Sequence, residues 1–94
     1  MATVYIIYSK SIDAYYIGSC LDLQLRLQQH NSHQFSVAFT QRADDWEIFF
    51  SISELSYDQA RKIEKHIKRM KSRKYVENLK KHPAISARLL KKYR

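Results

Sequence analysis

The spacing of apolar and polar positions changes several times along the chain, and each change marks an element. Thr3 to Ser9 (TVYIIYS) is β-branched and aromatic and reads as a strand. The polar interruption KSIDA follows, and Tyr15 to Cys20 (YYIGSC) resumes strand character, so the two runs predict a β-hairpin. The connection holds neither Gly nor Asn, which leaves its turn type open. Gly18 inside the second run marks a place where a Cβ would clash, or where another backbone or a ligand comes close.

The next segment, Leu21 to His30 (LDLQLRLQQH), carries two signals. Its leucines at 21, 23, 25 and 27 recur with the period of a strand, yet Leu, Gln and Arg are good helix formers and no residue is β-branched. With Asp22 as N-cap and Asn31 as stop signal, a helix is favoured, placing Asp22, Arg26 and His30 on one face. Ser32 to Asp45 reads as a loop packed down by Phe35, Val37 and Phe39, and Trp46 to Ser53 as a third strand. Ser56 to Lys71 is the main helix: Ser56 caps it, Gln59 completes a capping box, and Ala60, Ile63, Ile67 and Met70 form its apolar stripe. Ser72 caps a further helix, Arg73 to Lys81, with Tyr75, Val76 and Leu79 inward, and Pro83 opens a last helix spanning about 83–93. The order β-β-α-β-α-α-α predicts one α+β domain over residues 1–94.

Composition sharpens this picture. The 94 residues bury about two-thirds of their unfolded surface, and 45% hydrophobic content supports a globular fold. Cys20 stands alone, so no internal disulfide and no zinc cluster is expected; the expected environment is intracellular and Cys20 a small buried apolar residue. No signal-peptide pattern and no long apolar run occurs, and a soluble, cytoplasmic chain with no membrane partner is expected. The net charge of +8 is unevenly spread: residues 1–60 sum to −4 and residues 61–94 to +12. Solvated helix faces would account for part of this, but the asymmetry points to a polyanionic partner, nucleic acid above all.

Several residues can carry chemistry, each with a plain alternative. Tyr5 and Tyr16 could be ordinary strand tyrosines with buried rings and wet hydroxyls, or hydroxyls whose pKa is lowered by a nearby metal and basic residue enough to act as a base. Arg26 suits a phosphate and the charge of its transition state, and His30 is either a helix terminus or a proton carrier. Glu64 lies at the edge of the apolar stripe of the main helix. It is either the partner of Lys68 in an i,i+4 pair or a ligand for one Mg²⁺ or Mn²⁺, with phosphate and water completing the shell.

Taken together, the spacing of Tyr5 in TVYII, Tyr16 in YIG (Tyr16, Ile17, Gly18), Arg26 and His30 in RLQQHN, and Glu64 in ARKIEKHIK resembles the GIY-YIG nuclease superfamily, particularly its compact single-domain bacterial members. Phe39-Thr40, Trp46 and the run Lys71 to Tyr75 share the likeness, which covers about residues 3–80. Two positions depart from the pattern: Thr3-Val4-Tyr5 lacks the naming Gly, and His33 stands where Gly is usual. The resemblance implies a three-stranded antiparallel sheet flanked by helices, with Tyr5, Tyr16, Arg26 and Glu64 meeting on one sheet face. It further implies metal-dependent hydrolysis of DNA phosphodiesters in repair, recombination or processing. In that scheme Glu64 holds one divalent ion, Tyr5 works with Tyr16 or His30 on the attacking water, and Arg26 neutralises charge. Asn78 is the nearest counterpart of an Asn found on the helix after the Glu.

Lys65, Lys68, Arg69, Lys71, Arg73 and Lys74 are the expected contacts to duplex or branched DNA, reading backbone rather than sequence. Specificity would then come from DNA shape, a protein partner or dimerisation. Two other classes compete: a non-catalytic nucleic-acid-binding module on the same fold, and a protein-interaction domain using the basic helices. Neither needs Glu64 in the set.

Overall fold

The computed structural model describes residues 1–34 and 37–94. The elements are β1 (Ala2–Ser9), β2 (Ala14–Cys20), α1 (Leu23–Asn31), β3 (Trp46–Leu55), α2 (Tyr57–Met70), α3 (Arg73–Lys81) and α4 (Pro83–Lys92), in the predicted order. The strands form one antiparallel sheet in the order β2-β1-β3. β1 takes the centre because its apolar run supplies both faces, a pattern suited only to a strand covered on each side. Ala2, Val4 and Ile6 face one layer, where they pack with Ala60, Ile63 and Ile67 of α2, Val76 and Leu79 of α3, and Leu89 of α4. Tyr5 and Ile7 face the other, with Cys20, Ala43 and Trp46, closed over by Leu23 and Leu27 of α1. Cys20 is a free, buried cysteine, and burial pushes its thiol pKa up.

The hairpin between β1 and β2 turns without glycine because Asp13 takes φ 49°, a conformation Asp tolerates better than most residues. Its carboxylate accepts from the Tyr8 hydroxyl at 2.7 Å and from Arg73 of α3 at 2.8 Å, which lowers its pKa and fastens the turn to the helical layer. β3 is an edge strand whose register with β1 shifts twice, and Glu54 near its end has φ 61°.

The helix starts follow local chemistry. Asp22, Ser56 and Ser72 each accept a hydrogen bond from the backbone N–H three residues on, at 3.1 Å, and Pro83 opens α4. Three expectations need correction. Gln59 does not close the capping box; its amide donates to the Leu90 carbonyl at 3.4 Å and ties α2 to α4. Met70 leaves the apolar stripe and is 45% exposed, because α2 ends there in a left-handed cap at Lys71. Asp22 is an exposed cap rather than a member of a helix face with Arg26 and His30. The segment after α1 contains a 3₁₀ turn, Thr40–Arg42, and Phe39 stacks on Tyr16 with centroids 6.3 Å apart; Phe35 lies outside the described residues. Among the described residues, no helix is long and apolar enough to cross a membrane.

Candidate active site

Tyr5 and Gly18 sit opposite each other in the β1–β2 register. A Cβ on Gly18 would lie 2.5 Å from the Tyr5 hydroxyl oxygen and 2.6 Å from its Cζ, so only glycine lets the phenol lie across β2. That is the close approach the sequence marked. Tyr16, two residues before, has its ring 6.4 Å from that of Tyr5 and edge-on to His30 at 5.3 Å.

α1 delivers Arg26 and His30 one turn apart. His30 is fully buried behind Tyr5, and its Nε2 lies 2.9 Å from the Tyr5 hydroxyl. Its Nδ1 lies 2.9 Å from Oγ1 of buried Thr40. The Thr40 hydroxyl gives its single proton to the Val37 carbonyl at 3.2 Å, so it accepts from His30 Nδ1–H. The neutral imidazole then has only Nε2 as acceptor, and the Tyr5 O–H donates to it. Trp46 Nε1 fixes the chain by donating to the Thr40 carbonyl at 2.9 Å. Asn31 pins the end of α1 to the start of β3, accepting from Trp46 N–H at 2.7 Å and donating to its carbonyl at 3.0 Å. His33 takes φ 61°, which accounts for glycine being usual there, and its Nε2 donates to the Ala43 carbonyl at 3.1 Å.

Burial, with the positive charge of Arg26 added, lowers the His30 pKa to about 4. The Tyr5 pKa is raised, first by burial and then by Tyr16, while Arg26 opposes the rise. From the protein's own groups the Tyr5 pKa is thus raised rather than lowered; the expected lowering draws on a metal ion as well. At neutral pH the pair is a phenol donating to a neutral imidazole.

Glu64 arrives from the opposite layer. Ser19 shares the β2 face of Tyr15 and Ile17, which pack under the α2 layer, and its hydroxyl donates to Glu64 Oε1 at 2.5 Å. Lys68 holds Oε2 at 2.7 Å, so the i,i+4 pair is formed. The expected meeting on a single sheet face gives way to a different arrangement. Because β2 is an outer strand, residues from its two faces converge around its edge. Tyr5, Tyr16, Gly18, Ser19, Arg26, Tyr57, Arg61 and Glu64 line one open pocket of about 270 Å³ there. Arg26 Nη1 reaches the Ser19 carbonyl at 3.5 Å across the same rim.

The remaining expected residues divide. Lys65 and Lys68 line a groove beside the pocket, with Arg61 and Lys62. Lys71 and Arg73 line a second depression, and Arg73 donates to both the backbone and the carboxylate of Asp13 at 2.8 Å. Arg69 lies on the His66 side of α2, where its charge helps lower the His66 pKa. Lys74 is exposed on α3, and Asn78 lies on α3 without lining the pocket. Ser19, Tyr57 and Arg61 are pocket residues that the sequence reading passed over. The signal was there for two of them, since Tyr57 and Arg61 precede Glu64 by seven and three positions, the spacing of one helix face.

Among the described residues, no three His, Cys, Asp or Glu side chains are grouped to hold a metal ion. A divalent cation nonetheless fits the donor chemistry of the pocket. Glu64 is its one carboxylate, Ser19 places a hydroxyl oxygen against it, and Lys68 shows that Oε2 accepts a cationic partner. Compared with known proteins, the chain matches the family model of the GIY-YIG catalytic domain over residues 1–77. No curated protein and no solved structure matches it.

Proposed function

This chain belongs to the GIY-YIG family, and we propose that it is a metal-dependent DNA endonuclease working through Tyr5, Tyr16, Arg26, His30 and Glu64. One observation carries the reading: a single pocket at the edge of β2 combines a phenol backed by an imidazole, a guanidinium and a carboxylate. Core packing requires none of these in that combination.

Tyr5 gives its proton toward His30, and its oxygen, which also meets the Arg26 guanidinium, keeps a lone pair for the pocket. An attacking water hands a proton to the Tyr5 oxygen while the phenol proton passes to His30 Nε2. Thr40 holds the ring in the tautomer that can receive it. The low pKa of His30 makes the imidazolium a transient species that returns its proton readily. Arg26 offsets the charge growing on the phosphate oxygens, and Tyr16 walls the site beside it. Glu64, held by Ser19, is the ligand for one Mg²⁺ or Mn²⁺ ion; when bound, such an ion supplies Lewis-acid stabilisation of the phosphate. The basic groove of Lys65 and Lys68, with Arg69, Lys71, Arg73 and Lys74 on the adjoining surfaces, supplies backbone contacts to duplex or branched DNA. On this reading the protein is a cytoplasmic enzyme of DNA repair or processing that takes its specificity from DNA shape or a protein partner.

The rival reading, a binding module without chemistry, is favoured by the ion pair that already engages Glu64 with Lys68. Incubation of the purified chain with plasmid, branched and single-stranded DNA in Mg²⁺, Mn²⁺ or EDTA separates the two. Nicking should be abolished by EDTA and by Glu64→Ala, with DNA binding largely kept. Undiminished nicking by Glu64→Ala sinks the assignment, and binding without nicking in either metal selects the module.

A further inference from the structure

The pocket has a lip that the proposed chemistry leaves unused. Tyr57 begins α2 and is 61% exposed, an unusual position for a large aromatic ring that forms one wall of a polar pocket. One helical turn on, Arg61 Nη1 donates to the Tyr57 hydroxyl at 3.0 Å, and its guanidinium carbon lies 5.7 Å from the ring centroid. The pair is thus held as a unit, an open π-face beside a forked cation. Arg61 also lines the adjoining groove with Lys62 and Lys65, so the pair stands where a backbone following those charges would enter the pocket.

An exposed ring with a guanidinium alongside matches one nucleotide: the base stacks on the ring and its phosphate takes the guanidinium fork. In a continuous duplex both faces of each base are already covered by neighbouring bases. The ring therefore has a partner only where a nucleotide is unpaired, as at a bulge, a flap or a single strand. We infer that Tyr57 and Arg61 form a stacking platform for an unpaired nucleotide next to the scissile phosphate, making the site selective for DNA with an unpaired base. The inference rests on the nuclease reading for the word scissile, but the stacking itself does not.

The test has two arms. In the first, cleavage of a duplex carrying one unpaired nucleotide is compared with cleavage of the continuous duplex of the same sequence. Wild-type protein should prefer the first, and Tyr57→Ala should reduce that preference on the order of tenfold, with Tyr57→Trp restoring it. The second arm uses EDTA, so that no chemistry is needed, and 2-aminopurine as the unpaired base. Binding should quench its fluorescence with wild-type and Tyr57→Trp protein but not with Tyr57→Ala. A preference and a quench both indifferent to Tyr57→Ala overturn the platform. Quenching without cleavage by any variant leaves the platform standing and defeats the nuclease reading instead.

Discussion

On one face of the sheet, α2, α3 and α4 bury Ile6, Ile63, Ile67, Val76 and Leu79, side chains with no polar atoms to satisfy. On the other, α1 and the 3₁₀ turn cover a smaller cluster, and the buried polar residues among the described ones, Ser9, His30 and Thr40, all belong to that side. Each is hydrogen-bonded there: Ser9 donates to Asp45 at 2.6 Å, and His30 and Thr40 form the chain behind Tyr5. The first face stabilises by area and shape, for which about 25 cal/mol per Å² of apolar surface is the working scale. The second gains little from each hydrogen bond but loses much if one partner is missing. The difference teaches where each kind of substitution should register. The apolar face ought to control stability, the polar one chemistry, with Glu64 reaching from the first around the edge of β2 to the second.

Two substitutions test that division together. Tyr5→Phe removes one hydroxyl and leaves His30 Nε2 without its donor. We expect cleavage to fall by about 10²–10⁴-fold, the range for losing a general base, with about 1–3 kcal/mol of stability lost through the unpaired acceptor. Ile63→Ala opens a cavity among fully buried neighbours and should cost about 2–5 kcal/mol, while the protein that remains folded cleaves at a near-normal rate. Urea unfolding beside initial rates at saturating substrate reads both. If Ile63→Ala lowers the rate of the folded fraction as far as Tyr5→Phe does, the two faces are not separable.

Gly18→Ala sharpens the comparison at the seam. The added methyl would fall 2.5 Å from the Tyr5 hydroxyl, so the phenol or the strand must shift. We expect about 1–3 kcal/mol of destabilisation from overpacking, and loss of the contact between Tyr5 and His30. An NMR comparison of the His30 ring signals in the two proteins reads the second effect directly. Unchanged signals would mean that Gly18 serves the strand alone.

This seam also shows what the chain conceals. The hairpin, the capped helices and the Tyr5, Tyr16, Arg26 and Glu64 spacings are local or family-wide patterns, and they were legible. The two-period segment resolved as a helix because Asp22 caps it, and Leu21 and Leu25, which give the false strand period, are simply exposed. The strand order β2-β1-β3 was not legible, because β3 could add beside either strand of the β1–β2 hairpin. Without it, nothing reveals that β2 is an outer strand and that the carboxylate approaches around its edge. Thr40 behind His30 was equally hidden, since it depends on the 3₁₀ turn folding back over α1. Tyr57 and Arg61 were readable from helical spacing but overshadowed by the more numerous lysines.

The smallest expected effect isolates His30 itself. Its pKa is about 4 in the folded chain against 6.5 when unhindered, so the unfolded chain binds the proton more readily. Stability contributed by the neutral ring is therefore present above about pH 6.5 and drains away as the pH falls toward 4, below which the folded form is protonated too. Between pH 7 and pH 6 the His30 share of this loss is about 0.7 kcal/mol, in a window where carboxylates scarcely titrate. His66, also shifted down, contributes in the same direction, first through burial and then through Lys92 and Arg69. The measurement is thus a difference: urea midpoints at the two pH values for wild-type protein, His30→Gln and His66→Gln. His30→Gln should flatten the dependence more than His66→Gln, because His30 is fully buried and His66 is not. Equal flattening by both would place the pH sensitivity in general burial of histidine rather than in the polar face that holds Tyr5.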